Sequence, residues 1–191
     1  MEKERDFLQF IEILREATSR IEQEYFLLPV AGSDDAIYKE RIYCYELYHR
    51  LREGFEKNRF PYSLAGEVDK NGHLIIYPKI GAKKPDLIVH VPGIMNKNLV
   101  AIEVKPINAR LQDLKKDLKT LIGFLTAANY PMAMQLIYGG TEEIFKGRIK
   151  HAYKKEMLRF SNSLFLFWHE APQKKVKEYN WARLVRDTSN D

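Results

Sequence analysis

Residues 84–106, KPDLIVHVPGIMNKNLVAIEVKP, decide the fold of this chain. They hold two short runs of β-branched and aliphatic residues separated by a turn rich in Pro, Gly and Asn, a pattern that predicts two consecutive strands. Each strand carries charge: Asp86 opens the first, and Glu103 and Lys105 end the second. Because residues two apart on a strand share a face, Glu103 and Lys105 point to one side of the sheet. Asp86 joins them if the two strands pair.

The sequence on either side of this segment alternates between helical and extended patterns. Apolar residues at three- and four-residue steps predict helices over 3–25, 35–58, 108–128 and 141–159. Runs of high β-propensity predict further strands over 62–68, 73–78, 132–138 and 163–169. This order predicts an α/β fold in which a central mixed β-sheet is flanked by α-helices.

The length of 191 residues predicts a single domain. We expect an N-terminal helix and loop over 1–34, a core over 35–170 and a C-terminal tail over 171–191. The tail is polar, so we expect it to be loose, with only Trp181 and Leu184 docking.

Composition excludes several classes of protein. A single cysteine, Cys44, excludes an internal disulfide, and no Cys/His spacing of the zinc type occurs. No apolar run approaches the roughly 18 residues that span a bilayer, and the mixed-charge N-terminus is unlike a signal peptide. We expect a cytoplasmic protein with no membrane partner. The net charge of +5, concentrated in residues 79–119 and 141–191, favours a polyanionic partner.

The charged residues of the two strands suit a hard divalent cation. Carboxylate oxygens bind Mg²⁺, and a lysine beside them can hold an anionic oxygen or the attacking water. An ordinary salt bridge on an edge strand is the alternative. Two further acidic-x-Lys triplets, Asp113–Lys115 and Asp117–Lys119, fall in a predicted helix, where residues two apart diverge by about 200°. We interpret those triplets as a solvated helix face.

Pro85-Asp86 followed by Glu103-Val104-Lys105 resembles the PD-(D/E)XK nuclease superfamily. The resemblance includes the turn between the strands, the amphipathic helix after the lysine and a helix ahead of the sheet. It implies a restriction endonuclease-like fold and Mg²⁺-dependent cleavage of phosphodiester bonds in nucleic acid. The superfamily contains restriction, resolving, repair and defence enzymes, and members that have lost activity.

The same resemblance implies a role for each motif residue. Asp86 and Glu103 would coordinate the metal, and Lys105 would orient the water and stabilise charge on the phosphorane. Glu46, on the helix ahead of the sheet, would be an additional metal ligand. Gln135 matches a strand position where some members carry a glutamine at the site.

Two of these assignments have alternatives. Glu67 could take the acidic role given to Glu46, and Glu46 could instead cap the helix or pair with Arg50. Gln135 could be a hydrogen-bonded buried amide without a role in the site. We expect three tyrosines of the second helix to belong to the core rather than to a base-stacking surface: Tyr38, Tyr45 and Tyr48.

Together these features predict a metal-dependent endodeoxyribonuclease that uses Mg²⁺, with Mn²⁺ as a substitute. DNA is the expected substrate, with RNA as a second candidate. No recognition helix, zinc finger or RNA-binding motif is visible, so we expect phosphate contacts and little base readout. A homodimer or a protein partner would then supply specificity. The alternative is a non-catalytic nucleic-acid-binding or protein-interaction module that keeps the nuclease fold.

Overall fold

The structure is a computed structural model that describes residues 2–66 and 84–187. Within these residues the helices are α1 (Glu2–Thr18), α2 (Gln23–Phe26), α3 (Glu40–Lys57), α4 (Leu111–Ala127), α5 (Glu142–Ala152) and α6 (Trp181–Asp187). The strands are β1 (Ser63–Gly66), β2 (Leu87–His90), β3 (Asn98–Pro106), β4 (Met132–Tyr138), β5 (Leu164–His169) and β6 (Lys177–Glu178). The predicted strand over 73–78 and Glu67 lie outside the described residues.

The six described strands form one mixed sheet whose spatial order follows the chain, β1-β2-β3-β4-β5-β6. β1, β2 and β3 pair antiparallel, β3, β4 and β5 pair parallel, and β6 returns antiparallel to β5. The parallel pairs need crossover connections, which α4 and α5 provide. The predicted α/β class with a mixed sheet and flanking helices is confirmed.

Helices cover both faces of the sheet. α1 and α3 pack on the face that carries Ile102, Val104 and Leu136. α4 and α5 pack on the opposite face, against Ala101 and Ile137. β3 lies in the middle and is buried on both sides, which is why its sequence reads as an almost continuous hydrophobic run. Any charge on β3 therefore has to be satisfied inside the protein.

The helices differ from their predicted bounds mainly at their ends. The helix predicted over 3–25 is broken after Thr18, and the helix predicted to begin at residue 35 begins at Glu40. Between residues 2 and 66 and between 84 and 187, no helix has the length and hydrophobicity needed to cross a membrane.

The C-terminal segment is less loose than its composition predicts. It contributes β6 and α6, and Trp181 is buried as expected. The indole N–H of Trp181 donates to the carbonyl of Leu164 at 2.8 Å. Just before β6, the N–H of Val176 donates to Oγ1 of Thr18 at 3.0 Å. The end of α1 therefore holds the segment that leads into β6 in place.

This contact predicts the effect of a Thr18→Val substitution. The hydroxyl of Thr18 is fully buried, and its loss leaves the Val176 N–H without an acceptor. We expect the free energy of unfolding to fall by about 1–3 kcal/mol, measured by urea denaturation. Thr126→Val is the matched control, because the exposed Thr126 makes the same hydrogen bond to the carbonyl four residues earlier and accepts none from elsewhere in the described chain. Equal losses in both variants would contradict the prediction.

Candidate active site

The pairing of β2 with β3 brings Asp86 beside Glu103. Leu87 lies opposite Ile102 in the antiparallel ladder, so the residue before Leu87 faces the residue after Ile102. Oδ2 of Asp86 accepts a hydrogen bond from the backbone N–H of Val104 at 2.7 Å. The two carboxylates are consequently neighbours at the end of the β2–β3 ladder, and Glu103 lies on the face of the sheet that α4 covers.

Lys105, at the end of β3, forms ion pairs with two further carboxylates. Its Nζ lies 2.8 Å from Oε1 of Glu40 and 3.4 Å from Oδ2 of Asp117. Glu40 comes from the first turn of α3 and Asp117 from the middle of α4, so helices from both layers meet at the carboxyl end of β3. We refer to these residues as the carboxylate cluster: Asp86, Glu103, Glu40 and Asp117, with Lys105 among them.

The carboxylate cluster is electrostatically strained. Burial, and after it the carboxylates of Asp86 and Asp117, raise the pKa of Glu103 to about 10. Burial also raises the pKa of Asp117 to about 6, although Lys105 opposes the shift. The pKa of Glu40 is raised by burial in the same way, again against the influence of Lys105. Three acids close to one another thus favour binding a proton or a cation.

Lys105 behaves in the opposite way. Burial by itself would lower the pKa of the ammonium group, but the charges of Asp86, Glu40 and Asp117 outweigh burial and raise it. Lys105 therefore stays positively charged at neutral pH. It can bind an anion or stabilise developing negative charge, and it cannot act as a general base.

The chemistry of the carboxylate cluster fits a hard divalent cation such as Mg²⁺, which prefers oxygen ligands. Oδ2 of Asp117 is buried, and its ionic partner is Nζ of Lys105 at 3.4 Å. No group of three or more His, Cys, Asp or Glu side chains in the described chain is arranged as a ligand shell, however. Asp86 and Glu103 are the adjacent pair that would hold the ion, while Lys105 engages Glu40 and Asp117.

Gln135 lies directly beside Glu103 in the parallel ladder between β3 and β4. It is fully buried, and its Oε1 accepts a hydrogen bond from the hydroxyl of Tyr153 at 3.1 Å. Its Nε2 donates to the carbonyl of Leu114 at 3.4 Å. Gln135 is therefore a hydrogen-bonded buried amide next to the carboxylate cluster, and its role at the site stays a prediction.

The structure does not bring Glu46 to this site. Oε1 of Glu46 lies 2.5 Å from Nε of Arg50, the ion pair that was the alternative for this residue. Glu46 follows Glu40 by six residues, which turns it about 240° round the helix. The geometry thus favours Glu40, and not Glu46, as the acidic residue that α3 contributes.

The position of Asp117 differs from the interpretation made from the sequence. Asp117 is only 7% exposed, whereas a solvated helix face was expected. Leu114, Leu118 and Leu121 form the buried stripe of α4, and position 117 falls on that stripe by helical spacing. This spacing is the sequence signal that indicates that Asp117 is buried. Asp113, in contrast, pairs with Arg110 at 2.8 Å near the surface, as a solvated face requires.

Two cavities open onto the carboxylate cluster from outside. One has a volume of about 490 Å³ and is lined by Asp86 and Glu40, together with residues of α3. The other, of about 420 Å³, is lined by Lys105, Asp117 and Glu40. A ligand can therefore reach Asp86 from one cavity and Lys105 and Asp117 from the other, with Glu40 between them.

The raised pKa of Glu103 predicts that the free energy of unfolding depends on pH. Below the ordinary glutamate pKa of 4.5, Glu103 is neutral in both folded and unfolded protein. At such a pH its burial therefore does not lower the free energy of unfolding. As the pH rises toward about 10, the unfolded chain releases this proton and the folded protein keeps it, so the free energy of unfolding falls over this range. We expect Glu103→Gln to be more stable than wild type in EDTA, by an amount that grows from pH 5 to pH 9, measured by urea denaturation.

Glu46→Gln is the matched control for this prediction. Glu46 is also a buried glutamate, but it has Arg50 as its partner. Its replacement leaves a largely buried guanidinium less well paired, so we expect stability to fall by about 1–3 kcal/mol. If Glu103→Gln is destabilised as Glu46→Gln is, the carboxylate cluster is not strained in the way described.

No protein-family model, curated protein or solved structure matches this chain.

Proposed function

We propose that this chain is a Mg²⁺-dependent endodeoxyribonuclease of the PD-(D/E)XK type with a restriction endonuclease-like fold. The main support is the pairing of β2 with β3, which sets Asp86 and Glu103 side by side and Lys105 on the same face. A sheet of mixed strands between two helical layers is compatible with that fold.

In this proposal Asp86 and Glu103 would hold the metal, which would supply Lewis-acid stabilisation of the phosphate and a more acidic water molecule as the nucleophile. Lys105, charged at all relevant pH values, binds a non-bridging oxygen of the scissile phosphate and stabilises the charge that develops there. Glu40 and Asp117 fix the position of its Nζ.

The surface beside Lys105 suits a phosphate backbone. Arg110 and Lys116 line the cavity that Lys105 enters and, with Lys105, balance its three carboxylates, while the whole chain carries a net charge of +5. Contacts of this kind position DNA without reading its bases. A second copy of the chain or another protein would supply sequence specificity, and RNA is the second polymer to be assayed.

One observation favours a non-catalytic module that keeps the nuclease fold. Lys105 is already engaged by two carboxylates, and the described residues contain no ready ligand shell. A protein of this kind would bind nucleic acid or another protein through the same surface without cutting.

Cleavage of plasmid and oligonucleotide DNA in Mg²⁺ or Mn²⁺ tests the nuclease directly. We expect wild type to cut and EDTA to stop it. Asp86→Asn, Glu103→Gln and Lys105→Ala should each lower the rate by at least about 100-fold, because the first two remove a metal ligand and the third removes the ammonium that stabilises charge on the phosphate. Lys97→Ala is the control, since Lys97 is exposed and lies just before β3, at the opposite end of that strand from Lys105. Wild-type rates in Lys105→Ala would contradict the proposal.

Thermal unfolding with added Mn²⁺ separates the nuclease from the non-catalytic module. A ligand that binds only the folded state stabilises it by mass action, by about 2.7 kcal/mol at 100 times its dissociation constant. We expect Mn²⁺ to raise the melting temperature of wild type and not that of Asp86→Asn or Glu103→Gln. The absence of any rise in wild type at millimolar Mn²⁺ would favour the module.

A further inference from the structure

The 490 Å³ cavity beside Asp86 has an aromatic and cationic wall. Arg41, Tyr45 and Tyr48 line it from α3, and their spacing of four and then three residues places them on one helix face. Gly66 and Asp86 line the opposite side. The volume falls within the roughly 300–1,000 Å³ of pockets that hold small ligands.

Tyr45 is not part of the core, contrary to the expectation from sequence. It is 63% exposed, an unusual position for so large an aromatic group. Tyr48 is half-buried, and its hydroxyl donates to the carbonyl of Leu64 at 3.3 Å, which holds the ring in place. The cavity thus combines one exposed ring with one anchored ring.

Charge decides what this cavity can hold. Glu40 and Asp86 line it, so a phosphate group would meet two carboxylates there. The second cavity balances Glu40, Asp113 and Asp117 with three cations, Lys105, Arg110 and Lys116, so it is the less acidic of the two and the better place for a phosphate. A flat, uncharged ring system fits the aromatic wall, and Arg41 adds a guanidinium that can stack on it.

We propose that this cavity is a nucleobase subsite in which one unpaired base stacks on Tyr45 beside the scissile phosphate. The inference rests on the proposed nuclease function and names its substrate class, DNA with a single-stranded nucleotide at the cut. A base inside a duplex has both faces stacked and cannot enter such a pocket unless it is extruded. Stacking on aromatic side chains accepts any base, which agrees with the absence of a sequence-reading motif.

Gly66 keeps the floor of the subsite open. A Cβ at this position would lie 3.5 Å from the carbonyl oxygen of Asp86 and 3.9 Å from Cδ2 of Tyr48, which is ordinary van der Waals contact. A valine therefore fits the strand and occupies space that the base would use. Gly66→Val narrows the cavity beside Tyr48 and leaves Tyr45 unchanged.

The experiment measures binding in EDTA, where no cleavage occurs, by anisotropy of fluorescein-labelled oligonucleotides. The probes are a short oligothymidylate, the same backbone without bases, and a duplex of equal length. We expect wild type to bind the oligothymidylate more tightly than the abasic strand or the duplex. Tyr45→Ala should weaken oligothymidylate binding by about 5- to 150-fold, the range for loss of one stacked base. Tyr45→Phe should bind as wild type does, and Gly66→Val should resemble Tyr45→Ala.

The controls separate this inference from the nuclease proposal. Tyr25→Ala removes a partly exposed tyrosine on α2, outside the cavity lining, and should leave all affinities unchanged. If Tyr45→Ala binds the oligothymidylate as tightly as wild type, or if the abasic strand binds equally well, the subsite is wrong even where Mg²⁺-dependent cleavage is observed. If base-dependent binding through Tyr45 occurs and wild type cuts no DNA, the subsite stands and the nuclease proposal fails.

Discussion

The hydrogen bond from the Val104 N–H to the carboxylate of Asp86 fixes the centre of this structure. It joins β2 to β3 where the ladder ends, and it holds an acidic side chain against a strand that is buried on both faces. Buried charge has to be paired or neutralised. The surrounding elements supply what is needed: Lys105 from the same strand, Glu40 from α3 and Asp117 from α4.

The charges of the carboxylate cluster are incompletely paired. This imbalance is the physical reason for interpreting the region as a functional site. One ammonium group serves several carboxylates, and the pKa of Glu103 is raised to about 10 as a result of burial and of its acidic neighbours. A core selected for stability alone would hold hydrophobic residues at these positions. Local strain of this kind is a common cost of function, because groups that must bind a ligand are left unsatisfied without it.

The carboxylate cluster also divides the space around it. Glu40 lines both cavities, with the aromatic wall of α3 on one side and the basic residues of α4 on the other. A nucleotide has the same two-part chemistry, a flat base and an anionic phosphate. The two helical layers, which approach the end of β3 from opposite faces of the sheet, produce this arrangement.

Strands β2 to β5 and the charges at the ends of β2 and β3 are predictable from the sequence, whereas β6 lies in a segment expected to be loose. The alternation in residues 84–106 predicted that Glu103 and Lys105 share a face, because side-chain direction on a strand has a period of two and needs no further information. The sequence also indicated an ion pair of Glu46 with Arg50 as one alternative, because the two residues lie four apart on one helix. The tertiary structure decided which helical residues meet those strands. Helical spacing places Asp117 on the buried stripe of α4, but only the packing of α3 and α4 across both cores brings Glu40 and Asp117 to Lys105 and leaves Tyr45 exposed.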